Sequence, residues 1–545
     1  MNDSDANHHK LNYKNAGKNP EEMRRRRIEG QAQLRKNKRD ETLLKKRSIN
    51  VETTDPEPLA SPESKGKPKT EHPSIDSIFM NINNPDPAIR LKMVQSARKL
   101  LSGSRNPPID DLINGGIIPS LVKCLEDESP ELQFEASWAL TNIASGNSNQ
   151  TAIVANSGAI PHFLRLLSSP HQNVCEQSVW ALGNIVGDGP HFRDELIRLG
   201  IIKPLLQLIN VKIPITFLRN LTWVIVNLCR HKDPPTPIEA VKELLPALLY
   251  LLTNKDINVI VDTIWAISYI TDSGSDQIDL VINANVVPYL VPFLNHECFK
   301  AQTAALRALG NIITGSDNQT QVVLDAAALS YFPMLLNAGK DKIHKEAVWF
   351  ISNITAGNTN QIQLVINCNL MPSIVHHLKT SDFNIQKEAS WAICNLIING
   401  THEQICYLMS TNFIEPLCAM LNSQDTHIIQ VVLDGINNLL KKANGLLPQI
   451  TSALEECGAF NSIENLQTHQ NNEIYKLSYE IIETFFNDGS NDAENFLFEG
   501  NGNMQSDGLQ QPNGMLDQNS AGQNNGANEA IQFISPSSVI QNFEF

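Results

Sequence analysis

Apolar residues recur at helical spacing along most of the chain, in segments separated by short polar loops, which is the pattern of amphipathic helices. One such segment, EASWALTNIASGNSNQ (135–150), carries Trp138 and, four residues on, Asn142. The pair returns at Trp180 and Asn184, Trp223 and Asn227, Trp349 and Asn353, and Trp391 and Asn395. Positions four apart share one helical face, so an indole and an amide are set side by side five times.

The spacing is regular. Trp138, Trp180, Trp223, Trp265, Trp349 and Trp391 are separated by 42, 43, 42, 84 and 42 residues; Arg307 fills the gap, and Asp434 follows 43 residues after Trp391. Pro119, Pro161, Pro204, Pro246, Pro288, Pro333, Pro372 and Pro416 keep the same step. Proline is tolerated in the first turn of a helix, so these positions predict helix starts. Each unit then reads as a short helix (149–156 in one case), a turn at Ser157–Gly158, a middle helix from Pro161 to Leu167, and a long helix carrying Trp, about 173–186. Three helices in such a repeat make an armadillo unit. Stacked units give an all-α, right-handed solenoid with one concave groove. Extrapolating one period outward adds a unit near 78–118 and another ending near Phe486, about ten in all.

The long helix presents a fixed set of side chains. Three residues before each Trp position stand Glu135, Gln177, Asn220, Asp262, Ala304, Glu346, Glu388 and Val431. Four residues after it stand Asn142, Asn184, Asn227, Tyr269, Asn311, Asn353, Asn395 and Asn438. A tryptophan in a helical pattern is ordinarily core, but a buried amide without partners is unfavourable where Leu would serve. The recurring Asn therefore predicts an exposed face that bonds the N–H and C=O of an extended peptide. Adjacent indoles would form slots for Lys or Arg stems, and the preceding acids, with Asp188, would meet the charged heads. The ladder is full in two blocks, 138–227 and 349–395, and Tyr269 and Arg307 interrupt it between them. Two blocks imply ligands with two basic clusters. At roughly 10 Å per unit the block centres lie about 40 Å apart, a span of about 10–12 extended residues.

Charge sharpens this. The net charge is −15, yet residues 24–47 hold eleven Lys/Arg against three Asp/Glu, so the arm is +8 and the remainder −23. An acidic body with one basic arm suits a basic partner, and an arm that competes for the same surface; it argues against direct nucleic-acid binding. Residues 1–74 read as this arm and a flexible linker with five prolines in 48–74, residues 75–487 as the solenoid, and 488–545 as a disordered Asn/Gln/Gly-rich tail. No run approaches the ~18 apolar residues of a membrane span. The nine cysteines are scattered without a CxxC pair, so neither a disulfide framework nor a zinc cluster is suggested, and the chain reads as cytosolic or nuclear.

These features resemble importin-α, the nuclear import adaptor, over nearly the whole chain. The resemblance implies an importin-β-binding helix in MRRRRIEGQAQLRKNKRDETLLKKR (23–47), with Arg24, Arg25, Arg26, Arg27, Arg35, Lys36, Lys38 and Arg39 as its cations. It assigns a major nuclear-localisation-signal site to Trp138, Asn142, Trp180, Asn184, Trp223 and Asn227, supported by Gly146, Thr151, Gln177, Asp188, Asn220 and Asp262. A minor site falls on Asn311, Trp349, Asn353, Glu388, Trp391 and Asn395, flanked by Arg307. Lys45, Lys46 and Arg47 match the cluster that folds back into the groove when importin-β is absent. The last repeats, through 472–486, match the region that meets an export receptor with its Ran-type GTPase. The family shuttles between cytoplasm and nucleus.

Other motifs carry less. His8–His9 and His376–His377 have the wrong spacing for a metal face on a helix, and GDGP (187–190) follows a helix and reads as a turn. NIT, NQT and NLT match glycosylation acceptors only formally. No nucleophile, base and oxyanion grouping recurs at a consistent phase, so neither an enzyme nor a cofactor is expected. An armadillo scaffold of the adhesion or signalling kind would share the solenoid, but has no need of regular Trp/Asn pairs or a basic arm.

Overall fold

The computed structural model describes residues 45–46, 73–103, 106–209 and 212–486. Among them the regular structure is helical throughout, with no strand. Ten long helices mark the repeats: α1 (Pro87–Leu101), α2 (Pro130–Ala144), α3 (Gln172–Gly187), α4 (Ile215–Cys229) and α5 (Ile257–Thr271). They continue as α6 (Phe299–Ile312), α7 (Asp341–Ile354), α8 (Phe383–Asn399), α9 (Thr426–Lys441) and α10 (Asn472–Phe485). Each packs on the next in chain order, so the array is an α-solenoid with one continuous core.

Local chemistry sets the boundaries. Several long helices begin at a short polar side chain that accepts from the first turn: Asp86 for α1, Ser129 for α2, Asp256 for α5, Asp382 for α8, Asp425 for α9 and Asn471 for α10. Each satisfies backbone donors that the helix leaves orphaned. In the unit of α3 the short helix runs Ser148–Val154 and the middle helix Ile160–Leu166, close to the expected bounds. The reversal between them needs Gly158, whose φ of +86° lies in the left-handed region. Seven of the eight periodic prolines lie within the first three residues of a helix.

Pro246 is the exception and corrects the sequence reading. It lies inside a continuous helix, Ile238–Leu252, which begins after the irregular segment His231–Pro237. KELLPALL has no glycine ahead of the proline to reverse the chain, so the two shorter helices of that unit run together. Arg193, fully buried, fastens the preceding segment by donating to the carbonyls of His231, Pro234 and Pro235.

Side chains tie each repeat to the one before. The amide Nδ2 of Asn184 donates to Thr141 O at 3.0 Å, that of Asn227 to Gly183 O at 3.1 Å, that of Asn311 to Ser268 O and that of Asn395 to Ser352 O, both at 2.9 Å. Every acceptor sits three residues after its own unit's Trp position. A small residue there lets the next helix approach. At Gly183 an added Cβ would run into Cζ3 of Trp223 and come within 2.7 Å of Val224 Cγ2; at Gly310 it would run into Trp349. Gly183→Ala should therefore push the Trp223 ring off α3 and lower stability by about 1–3 kcal/mol. Thermal unfolding followed by circular dichroism would show an earlier transition, and an unchanged curve would contradict the packing.

Candidate peptide-binding face

The Trp and Asn side chains of α2 to α8 lie on one face of the stacked long helices. Trp138, Trp180 and Trp265 are half-buried, and Trp223, Trp349 and Trp391 are buried. The asparagines are deeper than the expected exposed ladder: Asn142, Asn184, Asn227, Asn311, Asn353 and Asn395 are each at most 2% exposed. For Asn184, Asn227, Asn311 and Asn395 the inter-repeat bonds are the reason, because one side of the amide turns toward the preceding helix. Asn142 uses Ser102 Oγ in the same way. Asn311 Oδ1 is buried with no hydrogen-bond partner. Asn438, placed in the ladder by sequence, donates to Asp434 O of its own helix, so the ladder ends at α8.

Two residues of the arm lie on this face. Asn184 Oδ1 accepts from the Lys46 N–H at 2.8 Å, and Asn184 Nδ2 donates to Lys46 O at 2.9 Å. An amide nitrogen has two hydrogens, so the same group bonds Thr141 O and the arm together. Trp180 Nε1 donates to Lys46 O at 2.9 Å. These contacts read backbone alone, whatever the side chain. The Lys46 ammonium lies 4.4 Å from the centroid of the Trp223 ring, within cation–π range.

Lys45 fills a different kind of pocket. Its Nζ donates to Gly146 O at 3.1 Å and Thr151 Oγ1 at 2.7 Å, and pairs with the Asp188 carboxylate. All three ammonium protons have acceptors. Gly146 follows the C-terminal end of α2, where carbonyls lack intrahelical partners and the helix dipole favours a cation. Thr151 is held by its own donation to Ala144 O at 2.9 Å. Asp188 caps the C-terminal end of α3.

The acids three residues before Trp divide into two groups, which corrects the expectation that all meet a ligand. Glu135 is paired with Arg98 of the preceding repeat at 2.6 Å, and Arg98 lies 4.3 Å from the Trp138 ring centroid. Glu346 is paired with Arg307, whose guanidinium lies 5.8 Å from the Trp349 ring. Gln177 donates to Thr141 Oγ1, and Asn220 to Glu176. Asp262 is available to the cation. Burial raises its pKa above the usual carboxylate range against the attraction of Lys46, Arg230 and Lys300. Desolvation lowers that of Lys46 against the pull of Asp262. Between the blocks, Arg230 lies 5.5 Å from the Tyr269 ring and Trp265 packs beside the same ring. Glu388 and Trp391 are buried on α8, the latter beside His427 at 5.5 Å.

Arg24, Arg25, Arg26, Arg27, Arg35, Lys36, Lys38, Arg39 and Arg47 lie outside the described residues, as do the linker and the 488–545 tail.

Comparison with known proteins decides the family. The importin beta binding domain family matches residues 9–95. Armadillo/beta-catenin-like repeats match 105–145, 147–187, 233–272, 274–314 and 358–398, and an atypical armadillo repeat matches 448–498. Importin subunit alpha-3 of Caenorhabditis elegans is 60% identical over 90% of this chain and 94% of its own length. Importin subunit alpha-B of Dictyostelium discoideum is 46% identical over 88% and 93%. The chain belongs to the importin-α family. A solved engineered protein shares the fold with a TM-score of 0.68 at 23% identity, covering 75% of this chain and 98% of its own.

One feature of this importin-α groove escaped the sequence reading although its signal was present. GNSNQT (146–151), which holds Lys45, returns as GSDNQT (315–320). Thr320 Oγ1 again donates back to the end of its long helix, to Ile313 O at 3.3 Å. Gly315 and Thr320 thus repeat the carbonyl and hydroxyl of the first pocket, with Gly357 where Asp188 stood. The arginine partners of Glu135 and Glu346 carried no local signal.

Asp262 offers a test by pH. A carboxyl whose folded pKa is raised contributes stability that is present below its unfolded pKa of about 3.9 and lost as pH rises through the folded value. Asp262→Asn should therefore melt higher than the parent at neutral pH, with the difference shrinking as pH falls through the raised value. The same change should weaken a Lys-rich peptide at neutral pH. Melting curves and peptide titrations across that range read both effects.

Proposed function

We propose that this importin-α is a nuclear import adaptor whose Trp/Asn face binds extended, Lys/Arg-rich localisation signals, while its basic arm docks importin-β. It acts by binding rather than catalysis. The observation that carries the reading is the seating of Lys45 and Lys46: backbone on Asn184 and Trp180, one ammonium in a three-acceptor pocket, the other over Trp223. A basic peptide from another protein would use the same groups. The major site is Trp138, Asn142, Gly146, Thr151, Gln177, Trp180, Asn184, Asp188, Asn220, Trp223, Asn227 and Asp262. The minor site is Arg307, Asn311, Trp349, Asn353, Glu388, Trp391 and Asn395, and it takes the second cluster of a two-cluster signal. Shuttling between cytoplasm and nucleus, with recycling by an export receptor and a Ran-type GTPase at the last repeats, completes the cycle.

The arm is then its own competitor. A tether such as 48–74 holds Lys45 and Lys46 near the face at an effective concentration on the order of mM. Even an intramolecular contact with a dissociation constant of tens of μM would leave free peptide bound roughly 10–100-fold more weakly. Importin-β, by gripping the arm, relieves this. Fluorescence anisotropy should give tighter peptide binding for a form lacking residues 1–74, and for Lys45→Ala/Lys46→Ala/Arg47→Ala, than for the full chain. Equal affinities would leave the arm as a docking helix alone.

The two blocks should also differ. Trp180→Ala/Asn184→Ala should weaken a single-cluster peptide by several kcal/mol, in the range of interface hot spots. Trp391→Ala/Asn395→Ala should act mainly on two-cluster peptides. Both Asn changes also remove an inter-repeat bond, so circular dichroism must first establish folding. Parent-like binding of the single-cluster peptide by both folded variants would reduce the ladder to packing.

A further inference from the structure

In α3 and α9 the C-cap residue stands eight residues after the Trp position, and the two carry opposite charges. In α3 it is Asp188, whose carboxylate pairs with the incoming Lys45, the ammonium that also bonds Gly146 O just past α2. In α9 it is Lys442, which caps that helix and reaches the C-terminal end of α8. Its Nζ donates to Ile397 O at 3.2 Å, Ile398 O at 2.6 Å and Gly400 O at 3.4 Å. Lys45 at α2 and Lys442 at α8 are therefore comparable. Each ammonium makes three contacts beside the end of a long helix, Lys45 with a carbonyl, a hydroxyl and a carboxylate and Lys442 with three carbonyls; one arrives from the arm and the other belongs to the solenoid.

We propose that Lys442 is a built-in occupant of a lysine pocket at the end of α8, closing the groove to further basic side chains and so fixing how far a two-cluster peptide can extend. This rests on the reading of the groove as a site for Lys/Arg-rich peptides. A second ammonium brought to this helix end finds three carbonyls already engaged and a like charge in place. The neighbouring positions agree. Asp434 stands where Trp would be, and Asn438 bonds within its own helix, so α9 offers neither an indole slot nor a backbone-reading amide. Ile405 stands where Thr151 and Thr320 supply a hydroxyl in the other two pockets. Burial lowers the pKa of Lys442, as it does for Lys46. The chemistry turned away is that of a lysine side chain on an extended peptide running past α8.

The test compares ratios within the full chain, where the arm competes with every peptide alike. The probes are a two-cluster Lys/Arg peptide and extended versions with one added Lys three, four or five residues beyond either terminus. The proteins are the parent, Lys442→Ala and Lys442→Asp, the last restoring the acid found at Asp188. In the parent, extended and original peptides should bind equally. Lys442→Ala should favour one extended peptide several-fold, and Lys442→Asp should favour it about tenfold, the scale of one charge-assisted hydrogen bond. A merely structural cap would change the melting temperature and leave these ratios at one. If the original peptide binds all three proteins alike while every ratio stays at one in both variants, the plug is overturned and the groove reading stands. If the original peptide fails to bind even the form lacking residues 1–74, the groove reading falls and this inference with it. Lys442→Ala, which introduces no new charge, supplies the ratio should Lys442→Asp fail to fold.

Discussion

The bond from the long-helix asparagine to the carbonyl of the preceding repeat is the contact on which the groove depends. It joins side chain to backbone across two helices, so it fixes both the spacing of the helices and the direction of the amide. Asn184 illustrates the consequence: Thr141 O takes one hydrogen, and the other hydrogen and the oxygen are aimed at the backbone of a bound chain. A side chain free in solvent would have to be ordered by its ligand at an entropic cost. Here the fold has already ordered it. The small residue three positions after Trp belongs to the same device, since Gly183 lets Trp223 lie against α3 and lets Asn227 reach Gly183 O.

Charge then divides the face into open and closed stretches. Arg98 covers Trp138 and neutralises Glu135 at one end, and Arg307 does the same for Trp349 and Glu346 further along. Between them lie Asp188 and Asp262, which draw the arm's lysines. Where a solenoid cation pairs directly with an acid, that acid belongs to the structure; where solenoid cations act only from a distance, as Arg230 and Lys300 do on Asp262, the acid is left to the ligand. The basic arm of an acidic chain suits that arrangement, because it brings cations that pair directly.

The sequence by itself determined the repeat, the helices and the residues of the groove face. It could do so because every unit solves the same packing problem, and the solution is written locally: a proline in a first turn, a short polar cap, an indole and an amide four apart. The pocket for Lys45 was equally local, since GNSNQT and GSDNQT put a carbonyl and a hydroxyl at one helix end. Tertiary structure alone decided what those residues touch. Glu135 and Glu346 look identical to ligand-binding acids until Arg98 and Arg307, 37 and 39 residues earlier, are brought against them. The asparagines read as exposed because their acceptors lie a full repeat away. Pro246 reads as a helix start because its local sequence does not reveal that the chain ahead of it is already helical. Helical periodicity records which face a residue is on, whereas pairing across repeats depends on superhelical geometry that no single repeat contains.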